Sequence, residues 1–326
     1  MKNFSRIIAV LSGILFFNHP GLASAKSLDF SKKPTRIIVP FNPGGGADIQ
    51  TRGIVPYVEK HLGAGAKVII EYKPGADARI ALNEVWKSAP DGRTMINSGF
   101  PTPTINQMFF PVKYKAREFT HIFAWSKDNV VFVVNSETWK TMGEFISDAQ
   151  TKTMSCGITG IGSLSTFTGI ALEEAAKLRP VQWVPFAGAG PAMAQLAGKH
   201  IDFGITTIAS ATPLIAAGKL RALLVFSEEK DYRFPEIPTL KEVGLNMTPA
   251  AVVWGVVAAP SLPQEAAKAL ELAFSKAAKE PKYLDWAQTV RMRVSPLNRE
   301  QFLDFTITME KEILRHVDKI KVRFKN

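Results

Sequence analysis

The sequence predicts an α/β protein of two lobes, each built on a mixed, mostly parallel sheet. Three observations carry that prediction. Short β-branched runs alternate with amphipathic stretches, Gly- and Pro-rich turns separate them, and the cycle begins again near Val130.

The first cycle opens with the β-branched run Arg36–Phe41, the turn Asn42-Pro43-Gly44-Gly45-Gly46 and an amphipathic stretch from Ala47 to Leu62, in the order strand, glycine loop, helix. Gly63 stops that helix, and Lys67–Glu71 restarts a strand. Pro74-Gly75 turns the chain, Arg79–Ala89 carries apolar residues at helical spacing, and Thr94–Asn97 follows Pro90-Asp91-Gly92 as a third strand. The second cycle runs from a strand at Val130–Asn135 through a helix at Met142–Ala149 and a short strand at Met154–Gly157. The loop Gly160-Ile161-Gly162-Ser163 then leads into a helix toward Lys177. Val181–Phe186, Ile201–Ile205 and Leu220–Phe226 read as further strands, with helical stretches around Pro191–Ala197 and Pro213–Gly218. After Ala251–Trp254, one helix presents Ala266, Leu270, Ala273 and Phe274 on a single face. The last helix has Asn298 and Gln301 placed like a capping box, with Phe302, Phe305, Met309 and Ile313 along one side. Packed back onto the first lobe, these helices make lobe 1 residues 26–127 plus 251–326 and lobe 2 residues 128–250. Solenoids and coiled coils are excluded, since no internal repeat or heptad run is visible.

Residues 1–25 read as a secretory leader: Lys2 and Arg6 precede the apolar run Ile7–Phe17, and Ala23-Ser24-Ala25 supplies the small residues for cleavage after Ala25. The run is too short to span a bilayer, and no later stretch reaches the roughly 18–20 apolar residues a span requires, so a soluble exported protein is expected. The single cysteine, Cys156, cannot form an internal disulfide and reads as a small buried hydrophobe. The formal net charge is +11. Its Lys and Arg residues are dispersed among Asp and Glu without a nucleic-acid-binding signature, which argues against nucleic acid and suits an anionic ligand.

The segment Pro40–Asp48 is the most informative for chemistry. Glycines after a strand let backbone N–H groups approach a ligand, and the helix that follows directs its positive end there, so such a site wants an anion. It carries neither the Gly-Lys-Ser/Thr of a phosphate loop nor Gly-x-Gly-x-x-Gly, and a plain tight turn is the alternative. Of the five histidines, His61, His121, His200 and His316 lie beyond the leader, and none stands in a hydrolase, metalloprotease or paired-cysteine context. No enzyme, metal or cofactor is expected.

The string Pro34-Thr35-Arg36-Ile37-Ile38-Val39-Pro40-Phe41 with Pro43-Gly44-Gly45 and Asp48 resembles the opening of tripartite tricarboxylate transporter substrate-binding proteins, the Bug family. The likeness continues in order through Lys73-Pro74-Gly75-Ala76, Ala89-Pro90-Asp91-Gly92, Val184-Pro185-Phe186, Gly190-Pro191-Ala192, Ile201-Asp202, Ala217–Leu223, Pro235–Thr239 and Trp254-Gly255. It implies a periplasmic binding protein of the type II, Venus-flytrap fold that captures a small carboxylate and delivers it to the membrane subunits of a transporter. The expected state is a monomer without stable membrane insertion. A periplasmic sensing subunit for a membrane histidine kinase is the alternative that stays open.

Carried onto this chain, the family's carboxylate grip falls on Phe41, Gly45, Gly46, Ala47 and Asp48 and on Gly75, Ala76, Asp77 and Ala78. Gly162 and Ser163 match the family's second-lobe loop, with Ser163 as either a ligand contact or an ordinary helix cap. Phe186 is expected to wall the cleft with Phe41, and Thr206, with Thr207, is a further candidate contact. This sequence departs from the family where Gly-Ala-Gly-Gly reads Gly75-Ala76-Asp77-Ala78, where a frequent His is Thr166, and where a common Lys is Ala187. A carboxylate at Asp77 beside a carboxylate grip repels an anion unless it points away or meets a cationic group on the ligand.

Overall fold

In the computed structural model, residues 29–323 are described apart from Gly45, Thr159, Ile161 and Ala187, so the leader read at Met1–Ala25 lies outside the described residues. Strand β1 (Thr35–Val39) pairs in parallel with β2 (Val68–Tyr72) and β3 (Thr94–Phe100), and the connections are α1 (Gly46–Leu62) and α2 (Arg79–Trp86). After β3 come α3 (Thr102–Phe109) and a single 3-10 turn at Ala116–Glu118, then β4 (Thr120–Asn135). The chain continues as α4 (Met142–Ala149), β5 (Ser155–Ile158), α5 (Leu164–Ala175), β6 (Gln182–Pro185), α6 (Ala189–Ala197), β7 (Phe203–Thr207), α7 (Ile208–Ala216) and β8 (Leu220–Val225). It closes with β9 (Ala251–Ala258), α8 (Gln264–Ala277), α9 (Pro281–Thr289), β10 (Val294–Leu297) and α10 (Arg299–Arg323).

Two strand groups meet along β4. Its first part, from Thr120 to Asn129, lies beside β9 in the order β2-β1-β3-β9-β4, while Val130–Val134 pairs with β7, which continues to β5 and β6. The sequence reading finds only Val130–Asn135 as strand, because the polar run Ser126-Lys127-Asp128-Asn129 interrupts the apolar pattern. These residues stay extended because β9 pairs them register by register from Trp254 to Ala251. Gly255 lets the two backbones close at a bulge, since a Cβ there would come within 2.5 Å of the Phe123 carbonyl oxygen.

The expectation of mostly parallel sheets is corrected by this geometry. Among the described strands, parallel pairing joins β1–β2, β1–β3, β5–β6 and β5–β7, whereas β9 on β3 and β7, β8, β9 and β10 on β4 run antiparallel. The cause is that the chain enters the second group by continuing along β4 instead of by a crossover helix.

One face of the first group buries Ile54 and Val58 of α1 with Phe274 of α8, whose ring stacks 5.9 Å from Trp125. Its other face buries Ile38, Leu82, Ile96 and Phe100 with Phe302 of α10. The second group is centred on Phe132, Phe145 and Phe203. Helix α10 is capped as its spacing predicts, with Asn298 Oδ1 accepting from the Gln301 N–H at 2.9 Å and Gln301 Oε1 from the Asn298 N–H at 3.0 Å. It reaches beyond the first group, for Met309 and Ile313 are buried among the residues of the second.

Candidate functional site

In open α/β sheets ligands bind in the crevice at the carboxyl ends of parallel strands, where helices begin. Here those ends are the loops after β1, β2 and β3 in one group and after β5, β6 and β7 in the other.

After β1, Gly44 takes a left-handed φ of 87° and its N–H donates to Asp48 Oδ2 at 2.6 Å. Asp48 is wholly buried, and it also accepts the Tyr72 hydroxyl on Oδ1 and Arg52 on Oδ2, each at 2.5 Å. Both its oxygens are engaged within the protein, so it acts as a strut that ties the loop to α1 and β2. Asn97 Nδ2 adds bonds to the Ala47 carbonyl oxygen (3.1 Å) and Thr51 Oγ1 (2.7 Å), pinning the first turn of α1 to β3. Gly46 stays exposed at the helix start, whose leading N–H groups have no intrahelical acceptors. Phe41 is half-buried beside the cluster that contains Ala78 and Leu82. Gly45 lies outside the described residues.

The loop after β2 is unusual in its backbone. Gly75, Ala76, Asp77 and Ala78 have φ of 132°, 48°, 50° and 70°, so three side-chain-bearing residues in succession occupy a region that costs an L-residue about 1–2 kcal/mol each. What holds them is local. The Arg79 N–H donates to the Ala76 carbonyl at 3.1 Å, Ala78 is fully buried, and Asn106 Nδ2 of α3 donates to the Asp77 carbonyl at 2.7 Å. Asp77 itself stays open to solvent, yet protein crowds it closely enough to raise its carboxyl above the ordinary aspartate range. The Arg79 charge and the Asn106 amide oppose that rise. Arg79 Cζ lies over the Phe110 ring, 3.7 Å from its centroid.

In the loop after β5, Ser163 Oγ accepts from the Thr166 N–H at 3.3 Å, the bond of an N-cap on α5, and Thr166 Oγ1 donates to the Gly160 carbonyl at 2.8 Å. The cap role of Ser163 is thus occupied by its own helix. Gly162 comes directly against the first strand group, since a Cβ there would lie 2.9 Å from both Asn106 Oδ1 and Phe110 Cε2.

The structure therefore brings the Gly75–Ala78 turn and Gly162 together through Asn106, with Arg79 and Phe110 beside them, while Phe41 packs on the apolar cluster that includes Ala78. Phe186 and Thr206 stay with the second group: the Phe186 N–H bonds the Ile158 carbonyl at 2.8 Å with its ring beside Gly157, and buried Thr206 faces Val131 across the β4–β7 ladder. Thr207 caps α7 through the Ser210 N–H. Asn106 and Phe110 were not found from sequence because the segment after β3 carries no strong periodicity; Pro101 and Pro103, at the start of α3, were the available signal. Cys156 is buried, which pushes its thiol well above the usual range. Among the described residues no group of three or more His, Cys, Asp or Glu is arranged to hold a metal, and no helix is long and apolar enough to cross a membrane.

An α/β protein of the periplasmic binding-protein type, with glycine-bearing loops at the carboxyl ends of parallel strands, is the class this fold defines. Residues 52–320 match the family described as the tripartite tricarboxylate transporter family receptor. A protein from the gbd 5′ region of Cupriavidus necator is 30% identical over 313 residues, covering 92% of each chain. A solved TctC solute-binding protein from Polaromonas, without ligand, is 25% identical with a TM-score of 0.75 over 88% of this chain and 98% of that one. MatC from Rhodopseudomonas palustris with bound malate is 26% identical with a TM-score of 0.74 over the same shares. The chain belongs to the tripartite tricarboxylate transporter receptor family, also called the Bug family. It is a periplasmic solute-binding protein of a transport system and not an enzyme.

Proposed function

We propose that the mature chain, cleaved after Ala25, closes two α/β lobes around a small carboxylate and hands the liganded form to the membrane subunits of its transporter. Lobe 1 is residues 26–127 with 251–326, and lobe 2 is residues 128–250. The crossings between them lie side by side where Asn129 pairs with Ala251, which suits a hinge. The carboxylate sits at the starts of α1 and α2, gripped by backbone N–H groups of Gly45, Gly46 and Ala47 and of the Gly75–Ala78 turn. Phe41 supplies apolar wall, Phe186 and Thr206 meet the distal end, and Asp48 and Ser163 hold their loops in shape.

The observation that carries this reading is the approach of Gly162 to Asn106, which brings the loop after β5 against the loops after β2 and β3. Malate bound in a relative of 26% identity supports a carboxylate as the ligand class. Closure follows binding only because the closed form binds more tightly. A thermal-shift screen of refolded, ligand-stripped protein against carboxylates tests it. A ligand at about 100 times its Kd adds about 2.7 kcal/mol of stability, and the absence of any shift in folded protein overturns the assignment.

A further inference from the structure

Asn106 is fully buried on α3, and its bond to the backbone sets its orientation: Nδ2 donates to the Asp77 carbonyl oxygen at 2.7 Å. A carbonyl only accepts, so the amide nitrogen must face Asp77 and the amide oxygen must face away from it. That oxygen has no hydrogen-bond partner, and it is the atom that Gly162 approaches from the other strand group. A buried acceptor without a donor is costly, and a bound molecule between the loops is the natural source of one. The Tyr114 hydroxyl is buried close beside the Asn106 amide, where it also feels Asp77 and Arg79.

Asp77 narrows the identity of that donor. A ligand carboxylate drawn to the starts of α1 and α2 meets the Asp77 carboxylate as a like charge. The neighbouring cation, Arg79, is laid over the Phe110 ring instead of being paired directly with Asp77. A hydroxyl group would satisfy the Asn106 oxygen and leave the two carboxylates opposed. An ammonium group does both jobs, donating to Asn106 Oδ1 and offsetting Asp77. On the reading that this cleft captures a carboxylate, we propose that the solute is an amino acid whose ammonium group is recognised by Asp77 and Asn106. These two residues select it over the hydroxy and unsubstituted acids of the same skeleton.

The test is calorimetric titration of ligand-stripped protein with two matched sets: aspartate, malate and succinate, then leucine, 2-hydroxyisocaproate and 4-methylvalerate. In at least one set the amino acid is expected to bind at least about tenfold more tightly than either analogue. In Asp77→Asn, which removes the charge, and in Asn106→Ala, the ratio of the two affinities is expected to fall within about threefold. Asp77→Gly is the control for folding, because glycine suits the φ of 50° at that position. If in neither set the amino acid binds more tightly than its hydroxy and unsubstituted analogues, while one of those acids binds, the inference is overturned and carboxylate capture stands. Binding of no acid in either set overturns both.

Discussion

Arg233 and Asp128 meet at 2.7 Å where β4 passes from one strand group to the other, and both side chains are almost wholly withdrawn from solvent. Arg233 also donates to both oxygens of Asp231 at 2.8 Å and to the Arg291 carbonyl at 3.1 Å, while Asn129 donates to Asp231 at 3.1 Å. Burial works against ionisation of both carboxyls. At Asp231 the hydrogen bonds and charge of Arg233 outweigh it and hold the group below its ordinary range, whereas at Asp128 burial prevails and raises it. One guanidinium thus balances two carboxylates at the crossing between the halves.

Removing that guanidinium strands both acids. Arg233→Met is expected to lower unfolding stability by about 3–5 kcal/mol, and Arg233→Lys by less, since an ammonium keeps the charge but not the planar fork. Urea unfolding followed by circular dichroism measures both. A loss under about 1 kcal/mol for Arg233→Met would mean that water already shares these carboxylates.

Gly162 offers a cleaner separation of binding from folding. Its φ is not left-handed, so alanine is tolerated by the backbone, but the added methyl would meet Asn106 Oδ1 and Phe110 at 2.9 Å. The overlap can be relieved by keeping the strand groups slightly apart. Gly162→Ala is therefore expected to weaken ligand affinity about tenfold or more, with unfolding stability changed by under about 1 kcal/mol. Small-angle scattering should show less ligand-induced compaction than in the wild type; unchanged affinity and compaction would place the loop outside the closing surface.

What could be read in advance follows from where the physics is written. Glycine and proline mark turns by their own covalent geometry, so the loops at Gly44, Gly75 and Gly162 and the elements flanking them were legible. The left-handed turn at Ala76–Ala78 was not, because nothing in an alanine or aspartate discloses a positive φ imposed by tertiary bonds to Asn106 and by burial of Ala78. The first half of β4 was hidden for a related reason. Asp128 and Asn129 look like loop residues until Arg233 and Asp231, about a hundred positions away, supply their partners. The approach of Gly162 to Asn106 is likewise a property of contact between distant segments.

That turn makes its own prediction at Ala76, which is exposed and has a φ of 48°. Glycine there avoids the Cβ penalty at the expense of a more flexible unfolded chain. The two terms leave Ala76→Gly more stable than the wild type by about 0.5–1 kcal/mol. Ala78→Gly, at a buried position, also loses a packed methyl and is expected to be nearly neutral. Thermal unfolding of the two variants side by side distinguishes strain in the backbone from packing of the side chain. Destabilisation by Ala76→Gly would mean that the turn carries no strain to relieve.

His121 supplies a pH dependence whose sign can be worked out. Its ring is buried, with Nδ1 3.0 Å from the Phe119 carbonyl oxygen and Nε2 3.0 Å from Thr306 Oγ1. Burial disfavours the imidazolium and lowers the pKa to about 4; the bond to Phe119 works the other way, and the nearby Arg299 charge adds to the lowering. A folded pKa below the unfolded value of about 6.5 means that the unfolded chain takes up the proton first. The contribution is fully present above about pH 6.5 and is lost as the pH falls toward 4, amounting to about 2 kcal/mol by pH 5. His121→Asn removes the titrating group, so its urea-derived stability should fall less between pH 7.5 and pH 5 than that of the wild type, by about that difference. Equal slopes for the two proteins over this interval would mean that folding leaves the His121 pKa unshifted.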